Sequence, residues 1–293
     1  MEQPRQLRVA DLDVAYLEAG PQDGPLALCL HGFPDHAPTW ERLLERLATA
    51  GFHAVAPWLR GYSPSGLAPD GNYQVASLAL DACALADEIA SDRDAVLIGH
   101  DWGAIAAYTA VGHRPNRFSK LVTLAVPHPA ALTALFLSPE QLKRSFYMFV
   151  FQTPLAEMVV TNNDFAFIDY LWRTWSPGYE PEASFMRALK DTLAAPGCAE
   201  AAIGYYRAML GTTAQDPRLS EVTNAGSGLI SIPTLYLHGA DDGCMGADLV
   251  DKDLLANFFP AGLQVEMVPK SGHFLHLEQP DVVGDFIIDF LAS

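Results

Sequence analysis

The chain has 293 residues, half of them hydrophobic, and carries a net charge of −17 from 18 Lys and Arg against 35 Asp and Glu. That length suffices for one large core, with or without an insertion. The acidic balance argues against nucleic acid or an anionic membrane as a partner. The segment Met1-Glu2-Gln3-Pro4-Arg5 lacks the pattern of a signal peptide. The longest apolar stretch, Leu121 to Leu137, is broken by Pro127, His128 and Pro129, so it does not read as a membrane span. Cys29, Cys83, Cys198 and Cys244 show no metal-ligand spacing. They read as free thiols, which suggests a cytoplasmic protein without a bound metal.

In chain order, Leu7–Ala10 and Val14–Ala19 read as an opening hairpin around Asp11-Leu12-Asp13. Leu26–Leu30 is a short, wholly apolar run, the pattern of a buried strand. Thr39–Ala50 has helical spacing, with Leu43, Leu44 and Leu47 on one face and Gly51 as its stop. A strand at His53–Pro57 and a helix at Val75–Ser91 follow. Ala95–Ile98 is the next strand, a helix begins near Ala104, and Lys120–Val126 is another strand. This alternation predicts a mostly parallel sheet with helices on both faces. From about His128 to Gly228 the rhythm changes to aromatic-rich, helical spacing with proline-marked turns. Strands then return at Ile232–Leu237 and Leu263–Val268, and Asp281–Leu291 closes the chain as a helix. Two late strands make no stable sheet alone. The reading is therefore an eight-stranded α/β core, residues 1–127 and 229–293, with a helical cap, residues 128–228, inserted after the sixth strand.

The chemistry concentrates at strand ends, where parallel sheets place their sites. Gly99-His100-Asp101-Trp102-Gly103 joins a strand to a helix with glycine on either side of the central residue. This is the frame of a nucleophile elbow, with Asp101 where serine is usual. A carboxylate needs no base to activate it and attacks saturated carbon to form an ester. The loop His31-Gly32-Phe33-Pro34 follows the third strand. In such a sheet it supplies one oxyanion-binding N–H, and the residue after the nucleophile supplies the other. Those amides are Phe33 and Trp102, since Pro34 has no N–H to give. Gly239-Ala240-Asp241-Asp242 offers an acid, with Asp242 preferred over Asp241. Lys270-Ser271-Gly272-His273 offers a base, with His273 preferred over His276. The order Asp101, Asp242, His273 is nucleophile, acid, histidine.

These motifs together resemble the epoxide hydrolase branch of the α/β-hydrolases over nearly the whole chain. Arg60-Gly61-Tyr62 resembles the family's turn after a strand, but continues as Ser63-Pro64-Ser65 and receives no catalytic role. The resemblance implies two ring-opening tyrosines in the cap. Tyr147 matches by its spacing to Phe151-Gln152, and Tyr206 by the following Arg207; Tyr205 and Tyr170 are alternatives. A tyrosine is protonated at neutral pH, with a pKa of about 10, and suits a leaving alkoxide. The family further implies a cis Phe33–Pro34 bond. Phe33 stands where haloalkane dehalogenases often place an Asn halide donor. No cation adjoins Asp101, so Phe33, Trp102, Tyr147 and Tyr206 would enclose an uncharged, apolar epoxide. The expected enzyme is an epoxide hydrolase that needs only substrate and water, with no cofactor or metal. A haloalkane dehalogenase and a non-catalytic small-molecule binder are the rivals, and a homodimer stays open.

Overall fold

A computed structural model describes residues 3–135 and 138–293. The first two residues of the N-terminal segment and the last two of the Leu121–Leu137 stretch lie outside them. The strands are β1 (Arg5–Val9), β2 (Leu12–Ala19), β3 (Leu26–Leu30), β4 (His53–Pro57), β5 (Ala95–His100), β6 (Lys120–Leu124), β7 (Thr234–Gly239) and β8 (Leu263–Val268). They form one sheet in the order β1-β2-β4-β3-β5-β6-β7-β8. Only β2 runs against its neighbours, β1 and β4; every other pairing is parallel. Central strands β3, β4 and β5 are buried at every residue, as strands covered on both faces must be. Strand β6 stops at Leu124 rather than Val126, because Ala125 takes a φ of 67° and leaves the ladder.

Helices α1 (Glu41–Thr49), α2 (Val75–Ala90) and α3 (Trp102–His113) belong to the strand–helix alternation. The predicted helix from Thr39 opens instead as a 3-10 turn, Ala37–Trp40, with Pro38 in its first turn. Seven described helices separate β6 from β7: α4 (Pro129–Leu135), α5 (Pro139–Arg144), α6 (Phe146–Val150), α7 (Ala156–Trp175), α8 (Ala183–Ala194), α9 (Cys198–Leu210) and α10 (Ser220–Ala225). After β7 come α11 (Lys252–Ala256), α12 (Leu275–Glu278) and α13 (Pro280–Ala292). No described helix is long and apolar enough to cross a membrane.

The helices between β6 and β7 seat on the carboxyl-end loops through aromatic contacts. Trp172 of α7 stacks on Phe274 with ring centroids 3.6 Å apart, and its indole N–H donates to the Pro34 carbonyl at 2.8 Å. Tyr205 of α9 donates its hydroxyl to the Arg60 carbonyl at 2.7 Å. Arg60 itself is held by a two-pronged contact to Asp81, at 2.6 and 2.7 Å. Asp101, Asp242 and His273, at the ends of β5, β7 and β8, are buried.

Candidate active site

Asp101 sits between β5 and α3 at φ 52° and ψ −118°, a strained conformation for a residue with a Cβ. The turn can form because its flanks lack side chains. A Cβ on Gly99 would strike the Gly103 carbonyl, and one on Gly103 would strike the Leu30 carbonyl. The turn lifts the carboxylate into a pocket where it is only 5 % exposed. Its Oδ1 accepts the Phe33 N–H at 2.7 Å, and its Oδ2 lies 3.5 Å from His273 Nε2. Phe33–Pro34 is cis, as the family resemblance implies. The Trp102 amide is not hydrogen-bonded to the carboxylate in this structure.

His273 follows β8 and is fully buried. Its Nδ1–H donates to Asp242 Oδ2 at 3.0 Å. The other oxygen of Asp242 accepts the Cys244 and Met245 N–H groups at 2.7 and 2.9 Å, which locks the acid's orientation. Asp241 is exposed and spends its amide on the Ser271 carbonyl. His276 points instead to Thr39, with 2.6 Å between its Nε2 and the Oγ1. Trp175 of α7 accepts the His273 and Gly243 amides on its carbonyl, both at 3.0 Å. Its ring packs edge-on to the imidazole at 5.1 Å.

The electrostatics follow from this packing. Burial alone would lower the His273 pKa, but the Asp242 and Asp101 carboxylates outweigh it and raise it to about 10. Burial pushes Asp101 the other way, upward, yet the facing imidazole and the Phe33 N–H bring its pKa below the usual carboxylate range. Both shifts favour the charged forms, an Asp101 carboxylate facing a protonated His273.

Above the carboxylate, Tyr206 stands among four rings. Its centroid lies 5.4 Å from Phe33, 5.0 Å from Trp102, 5.5 Å from Tyr147 and 5.1 Å from Phe151. Burial holds both the Tyr147 and the Tyr206 hydroxyl protonated well above the ordinary tyrosine range, and the Asp101 charge adds to the effect. The Tyr206 hydroxyl is buried with no hydrogen-bond partner among the described residues. The residues that marked these tyrosines in the sequence brace them: Gln152 Nε2 donates to the Tyr206 carbonyl at 3.2 Å, and Arg207 Nε to the Phe151 carbonyl at 3.0 Å. Of the alternatives, Tyr205 is tied to Arg60 and Tyr170 is 40 % exposed.

Beneath His273 lies a polar layer that sequence reading missed. His100 Nε2–H donates to the His273 carbonyl at 2.9 Å. Asp35, His100 and His276 bring donor atoms within 4.8 Å of one another, the one described set that could hold a metal. Burial lowers the pKa of His100 to about 3 and that of His276 well below its ordinary value, while it raises that of Asp35 to about 8. In all three groups burial favours the uncharged form. Its members lie far apart in sequence, so no local spacing signals them.

An alpha/beta hydrolase family model matches residues 27–286. Epoxide hydrolase 3 of Xenopus tropicalis is 31% identical over 297 residues, covering 95% of this chain and 74% of that protein. An AB hydrolase superfamily protein of Bacillus subtilis is 29% identical over 281 residues, covering 94% and 93% of the two chains. The crystal structure of a Bacillus megaterium epoxide hydrolase in complex with an inhibitor superposes with a TM-score of 0.84 at 24% identity, covering 99% of this chain and 100% of that one. On these matches, the chain belongs to the alpha/beta hydrolase family, within its epoxide hydrolase branch.

Proposed function

We propose that the protein hydrolyses uncharged, apolar epoxides to vicinal diols through a covalent ester on Asp101. One observation carries this reading: a buried carboxylate at the elbow faces an imidazole on one side and two protonated phenols on the other. The insertion between β6 and β7 serves as the cap that supplies the phenols.

In the first half-reaction, the Tyr147 and Tyr206 hydroxyls hold the epoxide oxygen. Asp101 Oδ2 attacks a ring carbon, the ring C–O bond breaks, and one phenol gives its proton to the leaving oxygen. The products are an ester, a tyrosinate and the imidazolium already present. Esterification removes one of the two carboxylates that hold His273 protonated. The histidine then returns its proton to the tyrosinate and becomes a neutral base.

In the second half-reaction, His273 Nε2 takes a proton from water while the hydroxide attacks the ester carbonyl. Oδ1 becomes the oxyanion, held by the Phe33 N–H and, as the tetrahedral centre forms, by the Trp102 N–H. Collapse releases the diol, which takes the proton from His273. The Asp101 carboxylic acid then protonates His273, and the starting ion pair returns with every proton accounted for.

The haloalkane reading has one observation in its favour: the Trp102 indole N–H is buried without a partner and can donate to halide. It leaves the two phenols without a task. Incubation with styrene oxide and with a bromoalkane separates the readings. Diol without halide is expected; halide release alone supports a dehalogenase, and neither product a binding protein.

A further inference from the structure

Cys244 enters the site two residues after the acid that orients His273. Its backbone is fixed on both sides: the N–H donates to Asp242 Oδ1 at 2.7 Å, and the C=O accepts Gln141 Nε2 at 2.8 Å. The thiol is 1 % exposed and lies 3.6 Å from the Tyr147 hydroxyl. Among the described residues it is the one hydrogen-bond partner of that hydroxyl. Tyr206, which faces the same pocket, has none. The two phenols are therefore unequal: one has a sulfur at hydrogen-bond distance and the other does not.

We propose that Cys244 is a positioning residue for ring opening, its S–H donating to the Tyr147 oxygen while that phenol passes its own proton to the epoxide oxygen. The inference rests on Tyr147 acting as an acid. A phenol losing its proton in a buried site develops negative charge on its oxygen, and a donor within reach of that oxygen stabilises the charge as it forms. The proton stays on sulfur throughout; the bonds broken are the phenol O–H and the ring C–O. Burial, with the Asp242 and Asp101 charges, pushes the thiol pKa well above its ordinary value. The group therefore remains an S–H donor. It also escapes alkylation by the substrate, since the thiolate is the nucleophilic form.

A double-mutant cycle tests the idea, with single-turnover formation of the Asp101 ester from styrene oxide as the rate measured. Cys244→Ala is expected to slow ester formation about fivefold, the effect of one ordinary hydrogen bond, with ester hydrolysis unchanged. Cys244→Ser, which keeps a donor, should restore the rate. In a Tyr147→Phe background Cys244→Ala should cost nothing further. An unchanged rate in Cys244→Ala, or an equal loss in the Tyr147→Phe background, overturns the proposal. Should the alanine variant not fold, the S–H infrared band of the wild-type protein, assigned by its absence in Cys244→Ser, decides: it must shift in Tyr147→Phe. Tyr147→Phe measured alone shows whether the acid assignment itself holds. If that variant opens the epoxide at the wild-type rate, the acid role of Tyr147 and the role of Cys244 fall together while the Asp101 ester stands, and the failure is traced to Tyr147 rather than to sulfur.

Discussion

The two halves of the site are built on different principles. Asp101, Asp242 and His273 stand at strand ends and are fixed by hydrogen bonds from three loops. Tyr147 and Tyr206 stand on α6 and α9 and are held mostly by the edges and faces of other rings. The first half specifies a reaction coordinate, because directed hydrogen bonds fix Asp101 Oδ1, both oxygens of Asp242 and Nδ1 of His273. The second specifies a volume, because aromatic packing constrains rings more tightly than hydroxyls. Chemistry should therefore be unforgiving of change in the first half and graded in the second.

The sharpest way to break that contrast is Asp101→Asn. A neutral amide does not attack the ring, and turnover should fall by about 10⁴ or more. Peptide mass spectrometry must accompany the assay, since slow deamidation would restore the aspartate. Full turnover by the intact asparagine form would remove Asp101 from the mechanism.

His273→Gln should differ in kind. Ester formation proceeds, but loss of the general base slows its hydrolysis by roughly 10³-fold. A stoichiometric adduct on the peptide containing Asp101 is the signature. In the wild type the two steps should also respond differently to pH. The imidazolium of the free enzyme persists toward its pKa of about 10, whereas the esterified enzyme has lost the Asp101 charge. Hydrolysis should therefore follow a lower pKa than that of the free enzyme. Identical profiles for the two steps would show that Asp101 does not control the histidine.

For the aromatic half, Tyr147→Phe or Tyr206→Phe alone should slow ring opening about tenfold to a hundredfold, because one phenol remains. Together they should abolish epoxide turnover. A folded double variant with normal rates would place the proton donor elsewhere.

Much of the strand-end half was legible in the sequence because it is local. Glycines around Asp101, a glycine before His273 and a pair of acids after β7 are each visible within five residues. The choice of Asp242 over Asp241 matches the hydrogen bond to His273 and the exposure of its neighbour. The rest was illegible because it is non-local. Cys244 meets Tyr147 across 97 positions, and His276 meets Thr39 across 237. Within α7, Asn163, Asp164 and Phe165 take positive φ, although the segment contains neither glycine nor proline. Such a break costs energy for residues with a Cβ. Arg187 and Lys190 of α8 pair with Asp164 there; the local sign of the break is the Asn162-Asn163-Asp164 run, since Asn and Asp tolerate left-handed backbone, and sequence reading passed over it.

Asp35→Asn leaves the reacting groups in place, and it probes stability rather than rate. Asp35 belongs to the strand-end half, yet its Oδ2 is buried without a hydrogen-bond partner. Burial raises its pKa to about 8, with the Asp101 charge adding to the rise and the His36 N–H opposing it. An ordinary carboxyl titrates near about 3.9. Between those values the folded protein holds a proton that the unfolded chain has released. Stability therefore falls as pH rises through this window, and the loss is complete above about pH 8. Asparagine keeps the oxygen that accepts the His36 N–H at 2.8 Å and removes the titration. The variant should match the wild type near pH 4 and exceed it progressively toward pH 8 in denaturant unfolding. The separate decline from His273, whose raised pKa makes its contribution fade from the ordinary histidine range up to about 10, should persist in both proteins. An unchanged slope in Asp35→Asn would mean that Asp35 is already ionised in the folded state. The layer beneath His273 would then be charged, and the strand-end half less fully satisfied than its hydrogen bonds imply.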